Sequence, residues 1–293
     1  MNNLLLIDGH SILNRAFYGI PMLTNHEGIH TNAIYGFINI MLKAMEDEKS
    51  DHIAVAFDLK APTFRHKMYE MYKGTRKPMP AELHEQVPVI KEILASMNIP
   101  VITLEGYEAD DILGTVGKKA QSLGYNVVIL SGDRDLLQLA DEHIKIRLPK
   151  TIKGRTEIEN YYPEDVMEKY MATPSEFIDL KALMGDSSDN IPGVPGIGEK
   201  TAMSIISKYH SIENAYEHVE ELTPAKAKNS LRENYDLAKL SKVLATIETD
   251  APVEFNIEDS AIGNIFTKEA YELFTRYELK SLLKYFDLSL IHI

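Results

Sequence analysis

Four short apolar runs in the first half of the chain constrain its fold more than any other feature: LLLI at 4–7, IAVAF at 53–57, VITL at 101–104 and VVIL at 127–130. A segment around 144–148 has the same character. Between the runs lie stretches with helical periodicity, including 33–45, 87–97 and 111–123. Strands alternating with helices predict a mostly parallel α/β sheet with helices on its faces. Ligands of such sheets gather beyond the carboxyl ends of the strands. After about residue 160 the strand signals stop. Residues 163–170, 174–184, 200–209 and 225–246 read as helices, so a smaller all-α region follows the sheet.

Each run also delivers carboxylates where it ends. The first closes on Asp8 and the second on Asp58; the third is followed by Glu108, Asp110 and Asp111, and the fourth by Asp133 and Asp135. Taken singly, an Asp after a strand is a turn former or a helix N-cap. Acids in a first helical turn also suit the helix dipole, a sufficient account of 108–111 alone. Four successive strands with the same ending are less easily dismissed. A parallel sheet brings those ends to one edge, where clustered carboxylates repel and resist ionisation. Hard divalent cations, which prefer oxygen ligands, resolve that repulsion. The pattern points to a magnesium- or manganese-binding cleft.

Composition narrows the setting. The 293 residues carry a net charge of −13, which argues against a nucleic-acid partner until its placement is considered. Within KAPTFRHKMYEMYKGTRK (60–77), six Lys or Arg face one acid, Glu70, and Phe64, Tyr69 and Tyr72 are interleaved. Basic residues mixed with aromatics suit a phosphate backbone and stacked bases, and they equally suit a solvated loop. The stretch 60–85 is also too long for a simple connection, which suggests a functional excursion. There are no cysteines, so disulfides, zinc–thiolate sites and thiol nucleophiles are excluded. No apolar stretch approaches a membrane span and no secretory leader is visible, so the expectation is a cytoplasmic protein.

A second acid pair, Asp186 and Asp189, sits in LMGDSSDNIPG. It precedes GVPGIGEKTA (193–202), two small-residue turns that open a helix. The glycine spacing resembles a dinucleotide fingerprint, but no strand precedes it. Between helices it fits a helix–hairpin–helix, whose backbone N–H groups can hold a phosphate.

Taken together, IDGHSILNRAF, YEADDILGT, SGDRDLLQL and LMGDSSDNIPGVPGIGEKTA resemble, in order and spacing, the 5′ nuclease (flap endonuclease) family. Within it they are most similar to the 5′→3′ exonuclease region that opens bacterial DNA polymerase I chains. The resemblance runs from about residue 2 to about 250. It implies a PIN-like catalytic domain over 1–172 with a helical arch at about 60–90, and a helix–hairpin–helix (helix–three-turn–helix) subdomain over 173–255. It further implies that Asp8, Asp58, Glu108, Asp110, Asp111, Asp133, Asp135, Asp186 and Asp189 line a site for two Mg²⁺, with Mn²⁺ as a substitute. Arg15, Lys73 and Arg76 would contact the scissile phosphate, Tyr72 would stack on a base, and Lys77 and Lys181 would meet phosphates. Gly193, Val194, Gly196, Ile197, Gly198, Lys200 and Thr201 would bind the duplex backbone, with K⁺ at the turn. The implied partner of this monomer is DNA with a free 5′ end, a 5′ flap, or a nick or gap, and there is no membrane partner.

Other readings have less support. A PIN-type ribonuclease shares the acid-lined sheet but lacks the hairpin that 160–250 encodes. A phosphatase using Asp8 would need a second Asp at position 10, where His10 stands. A DNA-binding scaffold with a vestigial site has no use for nine acids. Residues 256–287 read as a linker toward a missing polymerase region, with 265–287 helical and apolar on one face. The final LSLIHI (288–293) reads as a sequencing-adapter scar on a truncated frame.

Overall fold

The computed structural model describes residues 2–152 and 155–287, so the suspected scar lies outside the described residues. Among these, six strands form one sheet: β1 (Asn3–Asp8), β2 (His52–Ala56), β3 (Val101–Ile102), β4 (Asn126–Leu130), β5 (Ile144–Ile152) and β6 (Arg155–Tyr161). Their order is β3-β2-β1-β4-β5-β6. The first five run parallel, and β6 returns antiparallel against β5. Its polar sequence gave no strand signal; backbone pairing with β5 makes it a strand.

The helices follow in chain order. Around the sheet lie α1 (Gly9–Gly19), α2 (Asn32–Glu48), α3 (Phe64–Met68), α4 (Ala81–His84), α5 (Gln86–Ser96) and α6 (Ala109–Ser122). Next come α7 (Pro163–Tyr170), α8 (Pro174–Met184), α9 (Glu199–Tyr209), α10 (Ile212–Glu217), α11 (Ala225–Glu233), α12 (Tyr235–Ala245) and α13 (Lys268–Arg276).

Side chains alternate across a strand, so β1, apolar at four successive positions, must be covered on both faces. Leu5 and Ile7 join the core beneath α1, α2, α5 and α13. Leu4 and Leu6 join the other core, which contains the apolar face of α6 and continues through Leu180, Leu183 and Ile206. The helical region therefore shares a core with the sheet. Its entry is well specified: Pro174 opens α8, and the Thr173 side chain accepts from Glu176 N while Glu176 reciprocates.

Residues 256–287, read as a linker, are folded against the sheet domain: α13 packs on α5, and Phe274 is fully buried. The amphipathic face of 265–287 is itself part of the core, with burial of Phe274 contributing on the order of 2 kcal/mol. In the segment 60–90 the helical pieces are short. α3 and α4 have five and four residues, and the turns between them fold down onto the acids at the sheet edge.

Candidate active site

Asp8 ends β1 and caps α1, accepting from Ser11 N at 3.0 Å, while Ser131 Oγ donates to its other oxygen at 2.7 Å. Ser131 also accepts from Asp133 N at 3.0 Å, which joins the ends of β1 and β4. The next residue along β1's path, Gly9, allows a close approach: a Cβ there would lie 2.5 Å from the Phe57 ring. Asp58 follows β2, accepts from Ala109 N at 2.7 Å and lies 3.3 Å from His10 Nδ1. The start of α6 is thereby tied to β2, and Asp110 is carried into the same cleft. Asp8, Asp58, Glu108, Asp110 and Asp133 line this cleft together with Arg15, Lys73, Arg76 and Lys77.

The crowding has electrostatic consequences. Burial, reinforced by Asp58 and Asp133, pushes Asp8 up to about 6 against its hydrogen bonds to Ser11 and Ser131. Asp110 is driven well above the ordinary carboxylate range, by burial first and then by Asp133 and Asp8. Burial also acts on Asp58, but His10 and the Ala109 N–H outweigh it and hold Asp58 at about 2. Burial and Asp133 raise Asp135 to about 7 despite Lys181, whose Nζ is 2.7 Å away.

The second acid pair lies beside the first group, with cations between. Lys181 reaches both Asp135 and Asp186. Burial alone would raise Asp186, yet Lys181 and Ser188 hold it at about 2. Arg76 Nη2 donates to Asp189 at 2.5 Å. Lys73, at a left-handed φ of 54°, donates through Nζ to Glu108 Oε1 at 2.7 Å and lies 3.6 Å from Asp189 Oδ2. Lys181 is thus buried between acids and offers no open surface to a phosphate. Tyr72 departs from expectation in the same way. It is 3% exposed and its hydroxyl donates to Glu108 and Asp189, so it presents no face to a base. An aromatic within a basic segment looks the same in sequence whether it packs inward or outward.

Asp111 is placed differently from its neighbours. It is fully buried and pairs with Arg65, a residue that the sequence marked only as part of a basic run. His10 and Ser131 were also missed, although both adjoin acids in the motifs.

These carboxylates fit a hard divalent ion by chemistry: buried oxygen donors raise one another's proton affinity with too few cations to relieve it. Among the described residues, no three of them already converge tightly enough to grip one ion.

In the hairpin, Gly193 and Gly196 have φ of 62° and 79°. A Cβ on Gly193 would lie 2.4 Å from Gly185 N, so the two backbone segments touch. Gly193 N donates to Ser241 Oγ on α12 at 2.9 Å, and Val194 and Ile197 are core residues. Their side chains anchor the turn rather than face a ligand. Gly196, Gly198 and Lys200 are exposed beside the N-terminus of α9, and Thr201 is half-buried there.

A mostly parallel sheet with carboxylates crowded at one edge, continued by a hairpin-bearing helical region, defines the architecture of a 5′ nuclease. Residues 3–171 match the 5′-3′ exonuclease N-terminal resolvase-like domain and residues 172–269 the 5′-3′ exonuclease C-terminal SAM fold, and the chain belongs to this 5′-3′ exonuclease family. It is 47% identical over 281 residues to DNA polymerase I of Bacillus caldotenax and 46% identical over 281 residues to that of Bacillus subtilis. Each match covers 96% of this chain and 32% of the relative, so the chain spans about a third of the length of these curated relatives. Among solved structures, T5 5′-exonuclease with bound zinc ions shares the fold at a TM-score of 0.69 and 22% identity, covering 99% of this chain and all of that one. The catalytic core of Rad2 in complex with DNA substrate does so at 0.63 and 15%, covering 97% and 91%.

Proposed function

We propose that this chain hydrolyses phosphodiester bonds from the 5′ side of DNA, as an exonuclease and at 5′ flaps, including RNA-primed ends. The reading rests on one observation: Asp8, Asp110 and Asp133 come from three different elements yet line a single cleft with Lys73 and Arg76, where burial and the neighbouring Asp133 raise both Asp8 and Asp110. Two bound Mg²⁺, or Mn²⁺ in their place, would supply an attacking hydroxide and brace the departing 3′-oxygen. Asp8, Asp58, Glu108, Asp110 and Asp133 are the residues to hold such ions from the cleft, with Asp135, Asp186 and Asp189 behind them. No side chain need act as nucleophile.

Lys73 and Arg76 stand against Glu108 and Asp189. On this reading they turn to the scissile phosphate and offset its growing charge, joined by Arg15 of α1, which lines the same cleft. Lys77 and the exposed end of α9, with Lys200 and Thr201, would follow the flanking backbone. A K⁺ ion at the 193–198 turn would assist. The chain works as a monomer in the cytoplasm.

Incubation with a labelled 5′-flap oligonucleotide tests this. Cleavage near the flap junction is expected with Mg²⁺ and none in chelator, with Asp110→Ala inactive. Binding of the flap without cleavage at any Mg²⁺ or Mn²⁺ concentration would reject it.

A further inference from the structure

Asp111 and Arg65 saturate each other. A carboxylate has about four acceptor positions. Those of Asp111 are filled by Arg65 Nη2 and Glu248 N at Oδ1, both at 2.8 Å, and by Arg65 Nη1 at 2.8 Å and Glu108 N at 2.9 Å at Oδ2. A guanidinium has five N–H donors. Arg65 uses Nε on Leu244 O at 3.0 Å, Nη2 also on Thr246 O at 2.6 Å, and Nη1 also on Glu108 Oε2 at 3.4 Å. Asp111 is fully buried and Arg65 is 2% exposed.

We propose that Asp111, unlike Asp110 beside it, is not a metal ligand: with Arg65 it forms a buried clamp, and both act as positioning residues. The proposal rests on the metal-dependent reading of the cleft given above. A lone pair already accepting an N–H cannot also bind a cation, and rotating Asp111 outward would strand Arg65 in the core. What the clamp positions is specific. Asp111 fixes the backbone of Glu108 through its N–H, and thereby the first turn of α6 that carries Asp110 into the cleft. Arg65 grips the carbonyls at the end of α12, the helix whose Ser241 receives the hairpin's Gly193 N–H. Hairpin, α12, Arg65, Asp111 and the metal-facing turn thus form one continuous polar connection.

The test is a double-mutant cycle on the full chain, using Arg65→Gln, Asp111→Asn and their combination. Mn²⁺ affinity is read by calorimetry and cleavage of a 5′-flap substrate by rate. If the residues act through each other, both single variants and the double lose the same Mn²⁺ affinity and rate, within about twofold. Arg65→Lys, which keeps the charge, recovers part of both losses; should Arg65→Gln fail to fold, Arg65→Met, which also removes the guanidinium, takes its place in the cycle. If Asp111 bound the ion directly, Asp111→Asn would lose about tenfold more Mn²⁺ affinity than the Arg65 variant and the losses would compound. That result overturns the proposal. Asp110→Asn serves as reference: normal Mn²⁺ binding there would defeat the cleft reading, while matched losses at 65 and 111 would still support the clamp.

Discussion

Lys73 Nζ lies 2.7 Å from Glu108 Oε1 and 3.6 Å from Asp189 Oδ2, so one ammonium bridges the two acid groups. The basic segment thereby supplies a counterion to both acid groups.

Lys73→Ala should therefore separate rate from affinity. We expect the single-turnover cleavage rate to fall about a hundredfold, the usual scale for losing one transition-state charge contact. Binding to flap DNA, measured with Ca²⁺ in place of Mg²⁺, should weaken far less. A large affinity loss at an unchanged rate would count against its place beside the reacting phosphate.

Asp110→Asn should abolish cleavage and yet stabilise the metal-free protein. Burial and the neighbouring Asp133 and Asp8 hold Asp110 well above the ordinary carboxylate range, so its ionised form costs folding energy. Removing that charge should raise the melting temperature in chelator by a few degrees, about 2–4 °C per kcal/mol for a chain of this size. A lower melting temperature would show that the carboxylates do not repel as described.

Stabilisation by Mg²⁺ should grow with pH. Asp8 and Asp135 titrate near 6 and 7 in the folded chain, above their unfolded value of 3.8. Their contribution to the metal-free fold is complete below about pH 4 and is lost as pH rises through 6 to 7. Ions bind the deprotonated forms and so compete with protons below that window. At about a hundredfold excess over Kd, Mg²⁺ should add about 2.7 kcal/mol at pH 8. Thermal melts at pH 5 should show a clearly smaller increment, and equal increments at both pH values would contradict the assignment.

Gly193→Ala should damage the hairpin rather than the chemistry. Its φ of 62° and the 2.4 Å approach to Gly185 N leave no room for a methyl group. A cost of more than ~1 kcal/mol in denaturant midpoint is expected, with weakened duplex binding. Cleavage of a short single-stranded substrate should suffer less.

What the sequence revealed depended on whether the deciding partner was local. Asp8 was legible because LLLI can only be a buried strand and a parallel sheet exposes its carboxyl edge. Asp133 followed by the same logic. Arg65 was not, since its carbonyl partners at 244 and 246 lie some 180 residues away and nothing nearby distinguishes it from Lys67 or Arg76. Asp111 was hidden for a related reason: one acid among acids shows no sign of facing inward. The burial of Tyr72 likewise depends on Glu108 and Asp189, which only the tertiary fold brings to it. The apolar face of 265–287 was visible, but not the surface on α5 that receives it.

Gly9 separates Asp8 from the rest of α1 and rests against the ring of Phe57, one residue before Asp58. The separation of two cleft carboxylates is therefore gauged by a hydrogen atom meeting an aromatic face. Adding a single carbon at position 9 would remove no charged group and still retune the cleft, because it would wedge apart the strand ends that carry them.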